Sequence, residues 1–368
     1  DSLYGKTLMS LVSNGRGGSL SSELTKTYEN GWYLNGQASY KRLGDREAPD
    51  YILSNTGMQQ LGLSFHAGKR QLDQGWDLDY SFYQADIAIL RASHIGNVDD
   101  LIESINSQEP SVILPFTYDL GVPRQEVTHH LAKASYYLRI KGLGKWTAQY
   151  DVRVGDDRNK PAIDLELTTH TLLTDFTWDA SQNLKVQSGL MGRYQENFAN
   201  PDTGVRRLIP DYQKFDLGAF LTGEYHIDNS WLLEAGMRYD FVRIDAKKFY
   251  RTSRWEERGY DEDFADIVLE DLGTQLLTNP VFDYHNFSAT AGARLAIGLQ
   301  SELRVNYALG QRPPNPSELF SDGLHHSAAR IELGDLRIGN ETSHRVSAAY
   351  SREGAQWGLV VEPYLNLI

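Results

Sequence analysis

Apolar and polar residues alternate along most of this chain with a period of two. Between residues 76 and 83 the apolar positions are Trp76, Leu78, Tyr80 and Phe82. The same alternation occupies 146–154, 231–241 and 285–297. It predicts β-strands with one apolar and one polar face. The runs are longer than the about five or six residues of an ordinary globular strand. They suit a tilted transmembrane strand, which needs about 9–11 residues.

The connections between these runs alternate between short and long. The short turns are 28–31, 69–75, 141–145, 179–183, 227–230, 298–300 and 351–356. The long segments are 43–57, 87–130, 155–167, 194–214, 245–284 and 311–340, with a short helix expected over 97–105. Outer-membrane barrels combine short periplasmic turns with long extracellular loops. The pattern therefore predicts an all-β fold, a transmembrane antiparallel up-and-down β-barrel with about fourteen strands in this chain.

The positions of the tryptophans support a barrel with all its short turns at one end. Five of the seven lie at or near the short turns: Trp76, Trp146, Trp178, Trp231 and Trp357. Tyrosine and tryptophan collect where the apolar band of a barrel meets the lipid headgroups. We therefore expect the short turns to lie just beyond one edge of the membrane.

Composition narrows the function classes. The 368 residues carry a formal charge of −13, which argues against a nucleic-acid partner. The chain has no cysteine, which excludes disulfides and thiolate metal sites. Gly-x-Ser-x-Gly, His-Glu-x-x-His and P-loop motifs do not occur, so we expect no catalytic residues and no enzyme.

One stretch near the carboxyl end carries a family pattern. It runs RPPNPSELF over 312–320 and continues through GLHH at 323–326, IELGD at 331–335 and NETS at 340–343. This stretch resembles the barrel of TonB-dependent outer-membrane receptors of Gram-negative bacteria, especially those of Bacteroidetes. The segment 123–131, PRQEVTHHL, adds to the resemblance. The motif residues are Arg312, Pro314, Asn315, Glu318, Leu319, Gly334 and Glu341.

The resemblance implies an active importer in the bacterial outer membrane. Such receptors have a plug domain and about 22 strands, so residues 1–368 are expected to be a partial barrel, with the plug and about eight strands outside it. The implied partners are outer-membrane lipid, the protein's own plug domain, the TonB complex acting through that plug, and a surface lipoprotein. A ferric siderophore is the default ligand; haem, zinc, cobalamin and a glycan stay open. No cofactor is required, and a bound metal, haem or siderophore would be the transported ligand.

Two histidine pairs are candidate ligand or metal contacts, His129 with His130 and His325 with His326. Glu332 and Asp335 lie close to the second pair in the sequence and supply carboxylates. Imidazole suits zinc, copper, iron and nickel, and the identity of any metal stays open. Adjacent strand residues face opposite sides, so each pair would offer one ring to a common site. The alternative is that both pairs are structural elements of the family.

Two other functions remain open at this point. A passive porin would share the strand pattern but would lack a plug. A soluble all-β carbohydrate-binding protein would have shorter strands and an apolar face packed against a second sheet. The long strands and the alternating connections argue against the soluble protein.

Overall fold

The computed structural model describes residues 1–93, 98–107, 109–160, 163–179, 181–203, 207–325 and 330–368. Within these ranges the α-helices are α1 Val98–Asn106, α2 Thr252–Glu257, α3 Tyr260–Asp263 and α4 Pro316–Phe320. Single 3₁₀ turns span Arg91–Ser93, Pro201–Thr203 and Ala265–Ile267. The strands are β1 Ser2–Val12, β2 Gly17–Thr27, β3 Trp32–Leu43, β4 Arg46–Glu47, β5 Ile52–Leu53, β6 Met58–Arg70, β7 Gln74–Ala88, β8 Arg124–Ile140, β9 Gly144–Lys160, β10 Ile163–Asp179, β11 Leu184–Ala199, β12 Asp211–His226, β13 Trp231–Arg251, β14 Val268–Asp271, β15 Gln275–Thr278, β16 Val281–Ile297, β17 Ser301–Arg312, β18 Asp322–His325, β19 Arg330–Leu333, β20 Glu341–Glu353, β21 Gly358–Val361 and β22 Tyr364–Leu367.

One 18-stranded antiparallel sheet dominates the fold. Its long strands pair in chain order from β1 to β20, and β20 then pairs with both β21 and β22. Short strands β14 and β15 extend the sheet beside the end of β13. Two small ribbons, β4–β5 and β18–β19, lie within the long connections. The up-and-down antiparallel order predicted from the sequence is therefore confirmed.

Every long strand presents its alternate residues to opposite faces. On β13, Tyr239 lies opposite Ala219 and Phe287 in the register of the neighbouring strands. Its neighbour Asp240 lies opposite Gly218 and Asn286 on the other face. We call these the apolar face and the polar face. Large side chains on the apolar face are solvent-exposed, as with Leu190 at 61% and Met237 at 55%. No second sheet covers that face among the described residues, so the soluble sandwich alternative is wrong.

Connections at one end of the sheet are short throughout and include turns 71–73, 141–143 and 227–230. Trp76, Trp146 and Trp231 lie within a few residues of these turns, as predicted. The opposite end carries the long connections, including 252–280 and 313–340. The predicted helix is present as α1.

Strands extend several residues into the predicted long segments 87–130, 194–214 and 245–284, and two larger differences separate the structure from the expectation. Residues 13–16 form a tight turn, so two strands, β1 and β2, precede the predicted turn at 28–31. The chain therefore contributes fifteen positions to the meander, fourteen unbroken strands and one position shared by β21 and β22. The predicted long loop 155–167 is wrong, because β9 and β10 pair through most of it, as far as Asn159 and Ile163. The charged residues of this segment lie on the paired strands of a hairpin rather than in a loop.

A hydrophobic core forms where the long connections 252–280 and 313–340 meet the polar face. Side chains from β12, β13 and β16, at the strand ends nearest the long connections, pack against residues of 252–280 and 313–340. We call this end of the sheet the upper end. We call this cluster the loop core. Its buried members are Tyr212, Val242, Ile244, Ala246, Tyr250, Trp255, Tyr260, Leu276, Tyr284, Leu319, Phe320 and Leu336. Both connections are therefore packed structures that partly cover the polar face.

Candidate ligand-binding surface beneath the long connections

The motif over 312–320 forms an ion-pair centre at the upper end of β17. Arg312 donates two hydrogen bonds to Glu318, of 2.9 and 3.0 Å to its two carboxylate oxygens. The same guanidinium lies 2.6 Å from Glu341 at the start of β20. Hydrogen bonds from Arg312 hold the pKa of the Glu318 carboxyl below its usual value. Arg312 therefore joins α4 to the two strands that flank its connection.

Helix α4 begins with a capping box. The Asn315 side chain accepts the Glu318 backbone N–H at 3.0 Å, and the Glu318 carboxylate accepts the Asn315 backbone N–H at 2.8 Å. Pro316 at the first helical position needs no donor there. Pro314 and Leu319 are buried beneath this turn. The motif thus encodes a stable single-turn helix that places Leu319 in the loop core.

Gly334 allows the later part of the connection 313–340 to pack closely against α4. A Cβ atom at this position would lie 2.6 Å from the Leu319 carbonyl carbon, so any side chain would push the two segments apart. The Gly334 N–H donates to the Ser321 carbonyl at 2.6 Å, and the Asp335 N–H donates to the Glu318 carbonyl at 2.9 Å. The family-motif residues are therefore packing and hydrogen-bonding elements in this structure.

Asp335 also belongs to this structural network. It accepts a hydrogen bond of 3.1 Å from the buried Tyr260 hydroxyl and lies 3.7 Å from the Arg337 guanidinium. Arg337 stacks on the Tyr260 ring at 4.9 Å and donates to Asp263 at 2.6 Å. Burial raises the pKa of the Tyr260 hydroxyl, which keeps it protonated as a donor. Asp335 thereby links the two long connections.

The structure places the histidine candidates in different environments. His129 lies on the polar face, over Gly155, where a Cβ atom would come within 3.3 Å of its ring. His130 lies on the apolar face and hydrogen-bonds the Tyr80 hydroxyl at 2.9 Å. His325 is the last residue of β18, and His326 lies outside the described residues. Only one ring of the first pair can therefore reach a ligand on the polar face.

Glu332 lines a cavity of about 190 Å³ beneath residues 207–209. Asp157, Asp164 and Arg207 contribute charged groups to the same cavity. Arg207 pairs with Asp211 at 2.8 Å. The cavity therefore combines one guanidinium and three carboxylates with an apolar lining that includes Leu165, Leu208 and Ile209.

Three arginines that the sequence analysis overlooked stand on the polar face. Arg153 is 64% exposed while its partner Asp151 is 3% exposed, and Arg193 is 41% exposed while Asp216 is 2% exposed. The third pair is Arg238 with Asp240. In the first two pairs a buried carboxylate thus holds an exposed guanidinium group. The pattern Asp-x-Arg or Arg-x-Asp at polar strand positions would have indicated two of these pairs from the sequence.

Within the part of the chain that the structure describes, no three His, Asp or Glu side chains converge on a common metal position. No described helix is long and apolar enough to cross a lipid bilayer. The described site residues therefore form a charged surface beneath packed connections.

An antiparallel meander of long strands, with an exposed apolar face, a hydrogen-bonding polar face and long connections at one end, defines the wall of an outer-membrane β-barrel. The family model for the TonB-dependent receptor-like β-barrel matches residues 7–352, and the chain belongs to that family of integral outer-membrane transport receptors. We therefore refer below to the apolar face as lipid-facing and to the polar face as lumenal.

Individual relatives are similar in sequence or in fold. The ferric aerobactin receptor of Klebsiella pneumoniae is 24% identical over 124 residues, which cover 34% of this chain and 16% of that receptor. The Serratia marcescens hemophore receptor HasR, solved with its hemophore HasA and heme, superimposes with a TM-score of 0.68 at 16% identity, covering 99% of this chain and 54% of HasR. The ferric-catecholate import receptor Fiu from E. coli K12 gives 0.68 at 11% identity, covering 100% and 58%. The chain thus spans about half the length of these solved receptors.

Proposed function

We propose that this chain is the barrel portion of a receptor that imports an iron complex, with a ferric siderophore as the transported ligand. The lumenal arginines carry this proposal. Arg153 and Arg193 each present an exposed guanidinium, and the paired aspartate of each is almost fully buried. Guanidinium groups bind oxygen-rich anions through several hydrogen bonds. A negatively charged iron chelate suits such a wall better than a neutral glycan does.

The long connections support a receptor role. The loop core and the Arg312–Glu318 pair hold 252–280 and 313–340 in one arrangement above the lumen. A packed surface loses less conformational entropy on binding than mobile loops do. A ligand resting against the Glu332 cavity would enter the lumen past residues 207–209. His129, which also lies on the lumenal face, is the histidine candidate that we retain as a ligand contact.

Transport requires partners beyond this chain. We propose that a plug domain of the same protein packs against the lumenal face and that the TonB complex acts on that plug. Further strands would complete the sheet, because a strand edge left open in lipid leaves backbone groups unpaired. The names of similar proteins, a ferric aerobactin receptor, a ferric-catecholate import receptor and a hemophore receptor solved with heme, support an iron-containing ligand. We also propose a surface lipoprotein as a partner of the extracellular connections.

Cellular uptake tests the proposal. Cells that express the full-length protein, or lack it, are supplied with radiolabelled iron as ferric siderophores, and separately with heme. We expect energy-dependent uptake of a siderophore, and a reduction of about tenfold in its apparent affinity in the Arg153→Gln, Arg193→Gln double variant. Arg254→Gln, which breaks an exposed pair with Glu257 on α2, is the matched control. Uptake that persists in de-energised cells would instead support a passive channel.

A further inference from the structure

A repeated tyrosine–histidine pair lies on the lipid-facing side of the barrel. In four hairpins a tyrosine hydroxyl hydrogen-bonds Nδ1 of a histidine on the next strand. The distances are 2.9 Å for Tyr80–His130, 2.7 Å for Tyr150–His170, 2.5 Å for Tyr239–His285 and 3.0 Å for Tyr307–His344. The tyrosines are all 40–46% exposed. The repetition of one geometry in four separate hairpins indicates a common role.

Each pair occupies the same place in its hairpin. The tyrosine lies on the strand that runs towards the long connections. The histidine lies on the next strand, two residues closer to the long connections than the residue directly opposite the tyrosine. Tyr239, for example, is opposite Phe287, and the bonded ring belongs to His285. Strands β7–β8, β9–β10, β13–β16 and β17–β20 carry the four pairs. All four histidines therefore stand above their tyrosines, towards the outer edge of the membrane.

Polar residues begin just above His285 and His344. The next lipid-facing level above His285 contains Arg243 and Asp283, which pair at 2.7 Å. The corresponding level above His344 contains Gln311 and Thr342. Below the pairs, the lipid-facing residues are apolar, as with Met237 and Ala289. The pairs thus lie at the boundary between the hydrocarbon band and the headgroups.

Hydrogen bonding to tyrosine fixes the chemistry of each imidazole. A phenol is the better donor and a neutral imidazole nitrogen is the better acceptor, so the hydroxyl donates and Nδ1 accepts. The ring proton then resides on Nε2. Among the described residues, none accepts a hydrogen bond from Nε2 of these four rings. Each pair therefore presents one N–H donor outward at the headgroup level.

We propose that these four pairs form a belt that binds phosphate-bearing lipid headgroups of the outer leaflet, with each Nε2–H donating to a phosphate oxygen. Phosphate oxygens are the strongest acceptors available at that depth, and a charged acceptor strengthens the bond. Along their described residues, the three outer hairpins β1–β2, β3–β6 and β11–β12 have no lipid-facing pair of this kind, so the belt binds lipid at particular positions around the barrel.

A fifth pair supplies an internal control. Tyr33 and His66 have the same diagonal placement on β3 and β6, but they lie on the lumenal face and bond through Nε2 at 3.0 Å. Asp77 and Asp79 lie 3.5 Å from the His66 ring nitrogens. This pair cannot reach lipid. Substitutions there test for general effects of losing a tyrosine–histidine bond from the barrel.

Native mass spectrometry of the full-length protein in detergent tests the belt. Phosphatidylglycerol is titrated against a diacylglycerol with the same chains. The fourfold variant His130→Phe, His170→Phe, His285→Phe, His344→Phe should lose the preference for phosphatidylglycerol, with affinity falling about threefold to tenfold per site. The fourfold Tyr→Phe variant at 80, 150, 239 and 307 keeps the rings and should show a smaller loss, because the tautomer is no longer fixed. The Tyr33→Phe, His66→Phe variant should bind lipid as the unmodified protein does.

Circular dichroism establishes that each variant keeps its sheet, and single His→Phe variants replace the fourfold one where it does not fold. Equal binding of phosphatidylglycerol by the folded His→Phe variants and the unmodified protein would overturn the proposal. No preference of the unmodified protein for phosphatidylglycerol over diacylglycerol would also overturn it, since a purely apolar aromatic belt would bind both lipids alike.

Discussion

The Tyr260 hydroxyl donates a 3.1 Å hydrogen bond to Asp335, a residue 75 positions later in the chain. The same oxygen accepts the backbone N–H of Leu336 at 3.1 Å. This one buried hydroxyl therefore joins the connection 252–280 to the connection 313–340. Because both connections lie above the lumenal mouth, their mutual packing determines the shape of the surface that a ligand first meets.

Removing that hydroxyl should loosen the two connections. Tyr260→Phe keeps the ring in the loop core but leaves the Leu336 N–H buried without its partner, at a cost of about 1–3 kcal/mol. We expect amide hydrogen exchange in 334–337 to become about tenfold faster or more. Tyr284→Phe removes a longer bond, 3.4 Å to the Ile338 carbonyl, and serves as the matched control. Unchanged exchange at 334–337 in Tyr260→Phe would contradict the linking role.

The Arg312 ion pairs should stabilise α4 locally. In Arg312→Gln, Glu318 loses its two-bond partner and Glu341 loses its neighbouring charge. Arg312 is about half exposed, so solvent screening limits the effect to about 1 kcal/mol, or about fivefold faster amide exchange across 316–321. Arg254→Gln should change exchange in α2 by less than twofold, because an exposed surface pair contributes little. Equal changes in exchange from the two substitutions would contradict a specific stabilisation of α4 by Arg312.

Acid should weaken the same helix. Hydrogen bonds from Arg312 lower the pKa of the Glu318 carboxyl in the folded protein below the ordinary value of 4.5, so the stabilising contribution of the ionised carboxylate is fully present above pH 4.5. The contribution is lost as the pH falls through the lowered folded-state pKa, when the carboxyl takes up a proton. Exchange protection of 316–321, corrected for intrinsic rates, should therefore fall as the pH drops below about 4.5. Glu318→Gln should abolish the pH dependence of exchange protection in 316–321. If the pH dependence persists in this variant, another titrating group causes it.

The two adjacent histidines should differ in their effect on uptake. His129 faces the lumen and His130 faces lipid, so only His129 can contact a transported ligand. We expect His129→Ala to raise the ligand concentration needed for half-maximal uptake by about threefold to tenfold. His130→Ala should leave uptake unchanged within about twofold, since it removes a lipid-facing ring. Identical uptake by both variants would remove His129 from the list of ligand contacts.

Periodicity alone predicted the sheet because a lipid-facing strand has to alternate. Trp76, Leu78, Tyr80 and Phe82 face lipid as their spacing indicates. The turn at 13–16 was missed although Asn14-Gly15 is a turn pair, since the apolar residues of β1 do not alternate cleanly. Hairpin β9–β10 continues above the membrane, where polar residues on both faces make a strand resemble a loop.

The site was less accessible to sequence reasoning. Motif residues such as Glu318 and Gly334 were found by resemblance, but their packing role depends on contacts between α4 and the later segment. The link between Tyr260 and Asp335 joins segments 75 residues apart, and no local pattern encodes it. The tyrosine–histidine pairs likewise require the strand register, which determines which ring lies beside which hydroxyl.

The central claim is that the protein containing this barrel actively imports an iron complex. The most direct measurement compares uptake of radiolabelled iron, supplied as ferric siderophores, by cells with and without the full-length protein, in energised and de-energised states. The account predicts saturable uptake of at least one siderophore that requires both the protein and the energised membrane, and that weakens in the Arg153→Gln, Arg193→Gln variant. Equal iron uptake with and without the protein across siderophores and heme would contradict it.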